Sequence, residues 1–210
     1  MAINLSDLYK TSLHIVLTAC LALAVPSCVD SGEETDTAES ALLLSCACPA
    51  ETPAILAPPL NQNLAFVLDA TGVQQYACKA TATGAAWSLV APAADLLKND
   101  AVVGTHYAGP TWEYNDGSTV VGAKAQSATV DSTAIPWLLL SVVSNSGPWL
   151  STMSNVTAIQ RLETTGGLAP SAGCTAELLG GIVEVPYTAK YYFYRTNNLL
   201  PQLNTRCGAN

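Results

Sequence analysis

From about Leu60 onward, apolar and polar residues alternate in short runs separated by turn residues, a period that belongs to strands and not to helices. Residues 64–68 form a brief apolar run ending at Asp69-Ala-Thr-Gly72, and residues 72–78 and 86–90 follow at strand spacing. Residues 101–107 lead into Ala108-Gly-Pro110, a strong chain breaker. Trp112-Glu-Tyr114 then meets Asn115-Asp-Gly117 before β-prone residues resume at 118–122. An Asp-Gly pair between two such runs is the clearest hairpin signal in the chain. Residues 135–143 are apolar on both faces and fit either a central strand or a short buried helix, with Pro136 suited to the first position of each. Residues 156–162, 182–185 and 189–195 complete the set, and Tyr191-Tyr-Phe-Tyr194 reads as a strand buried on both faces. Helical periodicity is confined to residues 92–98, where a turn or two is expected. The predicted fold is all-β: a single sandwich or barrel of roughly eight to ten short antiparallel strands.

The N-terminal segment breaks this pattern. Residues 13–25 are an apolar run ending at Pro26, shorter than the ~20 residues of a spanning helix but suited to the core of a secretory signal, with Lys10 ahead of it. Residues 1–27 are assigned to that signal. Cleavage before a cysteine would leave a lipid anchor in its place. Cys28, which follows the whole apolar run, is the first choice and Cys20, in Leu17-Thr-Ala-Cys20, the second; cleavage after Ser27 without lipid is the alternative. Residues 28–51 contain Asp30, Glu33, Glu34, Asp36, Glu39 and Glu51 with no base, the composition of a flexible acidic tether. Residues 52–210 form the β-domain, entered through a proline-rich extended lead-in.

Charge sharpens this division. Of the net charge of −8 over 210 residues, −6 lies on the tether and −2 on the domain. The acidity therefore solvates a spacer and says little about partners. Eight Lys and Arg in the whole chain argue against a nucleic-acid binder. Membrane contact is expected through the N-terminal lipid only.

Export places Cys46, Cys48, Cys78, Cys174 and Cys207 in an oxidising compartment, where disulfides are the default. One of Cys46 and Cys48 pairing with Cys207 would tie the ends of the domain together, and Cys78 with Cys174 would then link two distant strands. A metal site on Cys46-Ala-Cys48 lacks a second ligand pair, since the mature chain offers one histidine, His106. No metal and no cofactor is expected.

The densest cluster of chemically useful residues is Gly104-Thr-His-Tyr-Ala-Gly-Pro-Thr-Trp-Glu113, with Asp116 just beyond. Aromatic faces beside hydrogen-bonding groups suit a sugar or another flat polar ligand, so His106, Tyr107, Trp112 and Glu113 are the candidate binding residues for a glycan or cell-envelope component. His106, Glu113 and Asp116 form a weaker catalytic set, a carboxylate pair or a histidine with one carboxylate. The opposing expectation is that Trp112 and Tyr107 only pack and Glu113 is a solvated turn residue. No Gly-x-Ser-x-Gly elbow, phosphate loop or dinucleotide glycine motif occurs.

Several motifs occur together in order: Gly72-Val-Gln-Gln-Tyr-Ala-Cys78, Trp87, the 104–113 segment, Asp116-Gly-Ser118, Ala134-Ile-Pro-Trp-Leu-Leu-Leu140 and Val185-Pro-Tyr-Thr-Ala-Lys-Tyr-Tyr-Phe-Tyr-Arg195. In this the chain resembles the secreted bacterial and fungal family catalogued as the domain of unknown function DUF3455, over residues 52–196. The resemblance implies an exported single domain and brings no activity or catalytic residues with it. Cys46, Cys48 and Cys207 lie outside the resembling region. Three functions fit these features: an exported, lipid-anchored β-domain that binds a ligand, a secreted hydrolase using His106 with Glu113 or Asp116, and a structural envelope protein without a ligand site.

Overall fold

A computed structural model describes residues 48, 49, 51–196 and 207. The signal segment with Cys20 and Cys28, nearly all of the 28–51 tether, and Cys46 lie outside the described residues. After a short 3-10 helix at Ala54–Leu56 come eight strands. They are β1 (Gln62–Thr81), β2 (Gly84–Lys98), β3 (Ala101–Tyr107), β4 (Thr111–Tyr114), β5 (Thr119–Ala128), β6 (Trp137–Ser146), β7 (Ala158–Gly166) and β8 (Ile182–Thr196). Each pairs antiparallel with the next, and β8 returns to β1, so the sheet closes into a barrel with no free edge.

The barrel explains where the local reading holds and where it does not. Asn115-Asp-Gly117 forms the turn between β4 and β5, and residues 135–143 fall largely within a strand, β6. Residues 92–98 are not helical. Ala94 and Leu96 are buried while Asp95 is exposed, a period of two, and this stretch is paired with β1 on one side and β3 on the other. A seven-residue helix offers few bonds against two ladders, so the sheet wins. Residues 64–68 and 72–78 belong to one strand, not two. Gly72 is no turn residue: a Cβ there would collide with the carbonyl oxygen of Ala93, so glycine is what lets β1 and β2 approach. Likewise 182–185 and 189–195 are one continuous β8 that runs through Pro186.

Two apolar clusters flank the wall. The interior cluster includes Leu68, Leu96, Trp112, Leu140, Ile159, Tyr191 and Phe193. The second, outside the wall over β6, β7 and β8, includes Leu56, Trp137, Leu139, Leu162, Tyr192, Tyr194 and Cys207. Residues 191–194 are thus buried on both faces, Tyr191 and Phe193 inward and Tyr192 and Tyr194 outward in the cluster with Leu56 and Cys207. Gln160 anchors this outer layer. Its amide nitrogen donates to the carbonyls of Leu56 and Cys207, and its oxygen accepts from the Tyr194 hydroxyl. Cys48 bonds Cys207, which fastens lead-in to tail, and Cys78 bonds Cys174, which fastens the β7–β8 connection to β1.

Elsewhere the outer wall carries charge at mid-strand, with Asp69 opposite Lys190 and an ion pair from Lys190 to Glu163. No described helix is long and apolar enough to cross a membrane. Two disulfides are compatible with an extracellular protein.

Candidate functional site

The β3–β4 hairpin divides the four candidate binding residues between two environments. Cross-strand register sets His106 against Trp112 and Thr105 against Glu113. Side chains alternate along a strand, so His106 and Trp112 share the inner face while Tyr107 and Glu113 share the outer one. Inside, the imidazole and indole are stacked, with ring centroids 4.3 Å apart and planes 10° from parallel. Tyr191 from β8 meets both rings edge-on, at 5.1 and 5.2 Å. Gly122 on β5 makes room for the indole, since a Cβ there would meet Trp112 at 3.1 Å. Outside, the Tyr107 hydroxyl donates to Glu113 Oε2 at 2.8 Å.

His106 is buried, and its Nδ1 lies 2.8 Å from the carbonyl oxygen of Thr111. A carbonyl only accepts, so Nδ1 carries the hydrogen and Nε2 is unprotonated. Burial pulls the imidazole pKa down to about 3, the bond to Thr111 opposes this weakly, and the nearby Arg161 guanidinium adds to the fall. The ring is neutral at any ordinary pH.

The structure does not bring His106 together with either candidate carboxylate. Glu113 faces the other side of the sheet. Asp116 sits at the opposite end of the barrel, where Oδ1 accepts from the Ser118 amide and hydroxyl and Oδ2 from the Thr152 amide. Partial burial pushes the Asp116 pKa up, but those hydrogen bonds outweigh it and hold the group well below the usual carboxylate range. It is a clamp between the β4–β5 turn and the β6–β7 connection. Its geometry is that of a permanently ionised acceptor and not of a proton carrier.

The inward pair lines a cavity of about 380 Å³ inside the barrel. Its wall also includes Gln74 from β1, Leu138 and Leu140 from β6, Arg161 from β7 and Tyr191 from β8. Exposed Leu89, Lys124 and Ser127 mark its mouth, at the end that carries the β3–β4 turn and the Cys78–Cys174 cystine. Three buried polar atoms on the wall have no partner: Gln74 Nε2, Trp112 Nε1 and the Tyr191 hydroxyl. The Tyr187 hydroxyl, buried nearby, has none either. The Tyr191 hydroxyl lies within polar contact of both the Tyr187 hydroxyl and the Arg161 guanidinium, though neither approach has the geometry of a full hydrogen bond. Burial is the main cause that raises both phenol pKa values, which keeps both neutral.

Gln74, Arg161 and Tyr191 do not belong to the 104–118 segment. Each comes from a different strand, and the barrel alone assembles them. The available signal was Gln-Arg within the apolar run Ala158-Ile-Gln-Arg-Leu162: alternation puts one polar residue on each face, where Gln160 is consumed by the outer layer and Arg161 is left inside.

A family model described as "Protein of unknown function (DUF3455)" matches residues 97–195, a span that runs from the end of β2 to β8. It covers the His106–Trp112 pair, Arg161 and Tyr191 and leaves out Gln74. No curated protein and no solved structure matches the chain.

Proposed function

We propose, from the premise that the chain belongs to the DUF3455 family of proteins of unknown function over residues 97–195, that its barrel is a binding module for one small ligand held in the interior cavity. The observation that carries this reading is the set of three polar atoms lining the cavity that make no full hydrogen bond: Gln74 Nε2, Trp112 Nε1 and the Tyr191 hydroxyl. A buried donor left unmade costs about 1–3 kcal/mol, and native proteins retain few of them. A barrel built only for stability would fill this space with apolar side chains instead. Eight strands enclose room for one small ligand, and about 380 Å³ lies within the usual range of small-molecule sites. The occupant is of sugar or single-ring-system size, a monomeric component and not a polymer chain.

Hydrolysis by His106 with Glu113 or Asp116 has no matching geometry, because the three groups lie on different faces and at different ends of the barrel. The outward Tyr107–Glu113 pair is a rim feature at most, since its two polar ends satisfy each other.

The same reading places the protein outside the cytoplasm, exported by residues 1–27 and lipid-anchored at Cys28 through the acidic tether. The cystines, which persist in oxidising compartments, support this. Intact mass of the mature protein tests it: a diacylated N-terminal Cys28 is expected, and an unacylated N-terminus contradicts the anchor.

Binding is tested by thermal shift against a library of small polar-aromatic and monosaccharide compounds. Wild-type protein and Leu138→Trp, in which the indole grows into the cavity, are compared. A ligand at a hundredfold excess over its Kd stabilises the wild type by about 2.7 kcal/mol, several degrees in Tm. The effect vanishes in Leu138→Trp. Equal shifts in both proteins, or none in either, would contradict an interior site.

A further inference from the structure

The cavity carries positive charge with no negative charge to match it. Arg161 on β7 and Lys124 on β5 both line it, and no Asp or Glu does. The Arg161 guanidinium uses Nε and one terminal nitrogen on the carbonyl of Pro136, a single neutral acceptor. Among the described residues no carboxylate forms an ion pair with it, and the one ion pair present joins Lys190 to Glu163 on the outer wall. A partly buried guanidinium beside apolar side chains, without a counter-charge, is expensive, and an anion that enters the cavity relieves that cost.

The uncharged groups point the same way. Gln74 Nε2 and Trp112 Nε1 are donors without an acceptor, and the Tyr191 hydroxyl is free to donate. Leu138, Leu140 and the faces of Trp112 and Tyr191 supply the apolar remainder. We infer that the cavity selects a small organic anion, a carboxylate carried on a flat apolar body, with the carboxylate toward Arg161 and the body against Trp112 and Leu140. At interior packing density the volume holds on the order of 15 non-hydrogen atoms. This inference rests on the binding role proposed above and names the chemical class that such a site takes.

The test uses 2-naphthoate and its uncharged counterpart 2-naphthamide as probes, titrated calorimetrically into the full chain. Naphthoate is expected to bind at least tenfold more tightly than naphthamide to the wild type. Arg161→Gln removes that preference by lowering naphthoate affinity at least tenfold more than naphthamide affinity, and near-ultraviolet circular dichroism checks that this variant keeps its packed core. Lys124→Gln, at the exposed mouth, lowers naphthoate affinity about two- to threefold and weakens its salt dependence. Leu138→Trp abolishes binding of both probes. Equal affinity for the two probes in the wild type, or a preference that survives Arg161→Gln, overturns the anion selectivity while the small-ligand reading stands. Failure of both probes to bind the wild type overturns the flat-bodied anion as occupant, and the thermal-shift library above decides separately whether the barrel holds a small ligand.

Discussion

His106 is a neutral imidazole stacked on Trp112, and that neutrality has a measurable consequence. The unfolded chain takes up a proton near pH 6.5, but the folded chain resists it until about pH 3, because burial disfavours the charged ring. Its folded pKa is the lower one, so the stability it contributes is complete above pH 6.5 and is lost as pH falls toward 3. The neighbours do not offset this. Burial keeps Tyr187 and Tyr191 neutral throughout the window. Unfolding free energy is therefore expected to drop by up to about 1.4 kcal/mol per pH unit between pH 6 and 4.5, before most carboxylates titrate. In His106→Asn, whose amide can still donate to Thr111, this slope disappears. Denaturant melts of the two proteins at several pH values check it, and an unchanged slope would mean that His106 is not the group responsible.

Among the elements, the end of the barrel opposite the cavity mouth depends on one carboxylate. Asp116 takes the Ser118 amide and hydroxyl and the Thr152 amide, and the Ser118 hydroxyl in turn accepts the Met153 amide. This joins the β4–β5 turn to the β6–β7 connection. Asp116→Ala is expected to lower stability by about 1–2 kcal/mol, with the exposed position limiting the loss. Amide exchange at Thr152 and Met153 should quicken at least tenfold, while exchange in β1 and β8 changes little. This role was not legible in the sequence. Asp116 adjoins Glu113, and adjacency invites a catalytic pair, but two residues of a turn answer to the register of the strands on either side. The Asp-Gly turn itself was legible because its chemistry is local. By the same logic His106 and Trp112 could be found from their own segment. Gln74, Arg161 and Tyr191 could not, because only the pairing of strands far apart in sequence makes them neighbours.

For the molecule as a whole, closure is the property that the residue pattern left open between sandwich and barrel. It depends on β1 and β8 pairing across the full domain, from Gln62 against Thr196 to Ala77 against Ile182, a contact that no local period encodes. Closure creates the cavity, and the outer layer over β6, β7 and β8 supports it. The Cys48–Cys207 bond spans a sequence separation of 159, a loop long enough that cross-linking it contributes about 5 kcal/mol in the chain-entropy account. The double variant Cys48→Ser/Cys207→Ser should lose several degrees of Tm and bind more of a hydrophobic dye as Tyr192 and Tyr194 are uncovered. It should leave the affinity of the cavity for 2-naphthoate within about threefold, because Cys207 and the cavity lie on opposite sides of the wall. Loss of binding in this double variant would place the ligand outside the barrel.

The most direct measurement is a high-resolution crystal structure of the chain grown with 2-naphthoate. One naphthoate is expected inside the barrel, its ring system against Trp112 and its carboxylate within hydrogen-bond distance of Arg161. Ordered water alone in a cavity of unchanged shape, with naphthoate absent or bound only on the outer wall, would contradict it.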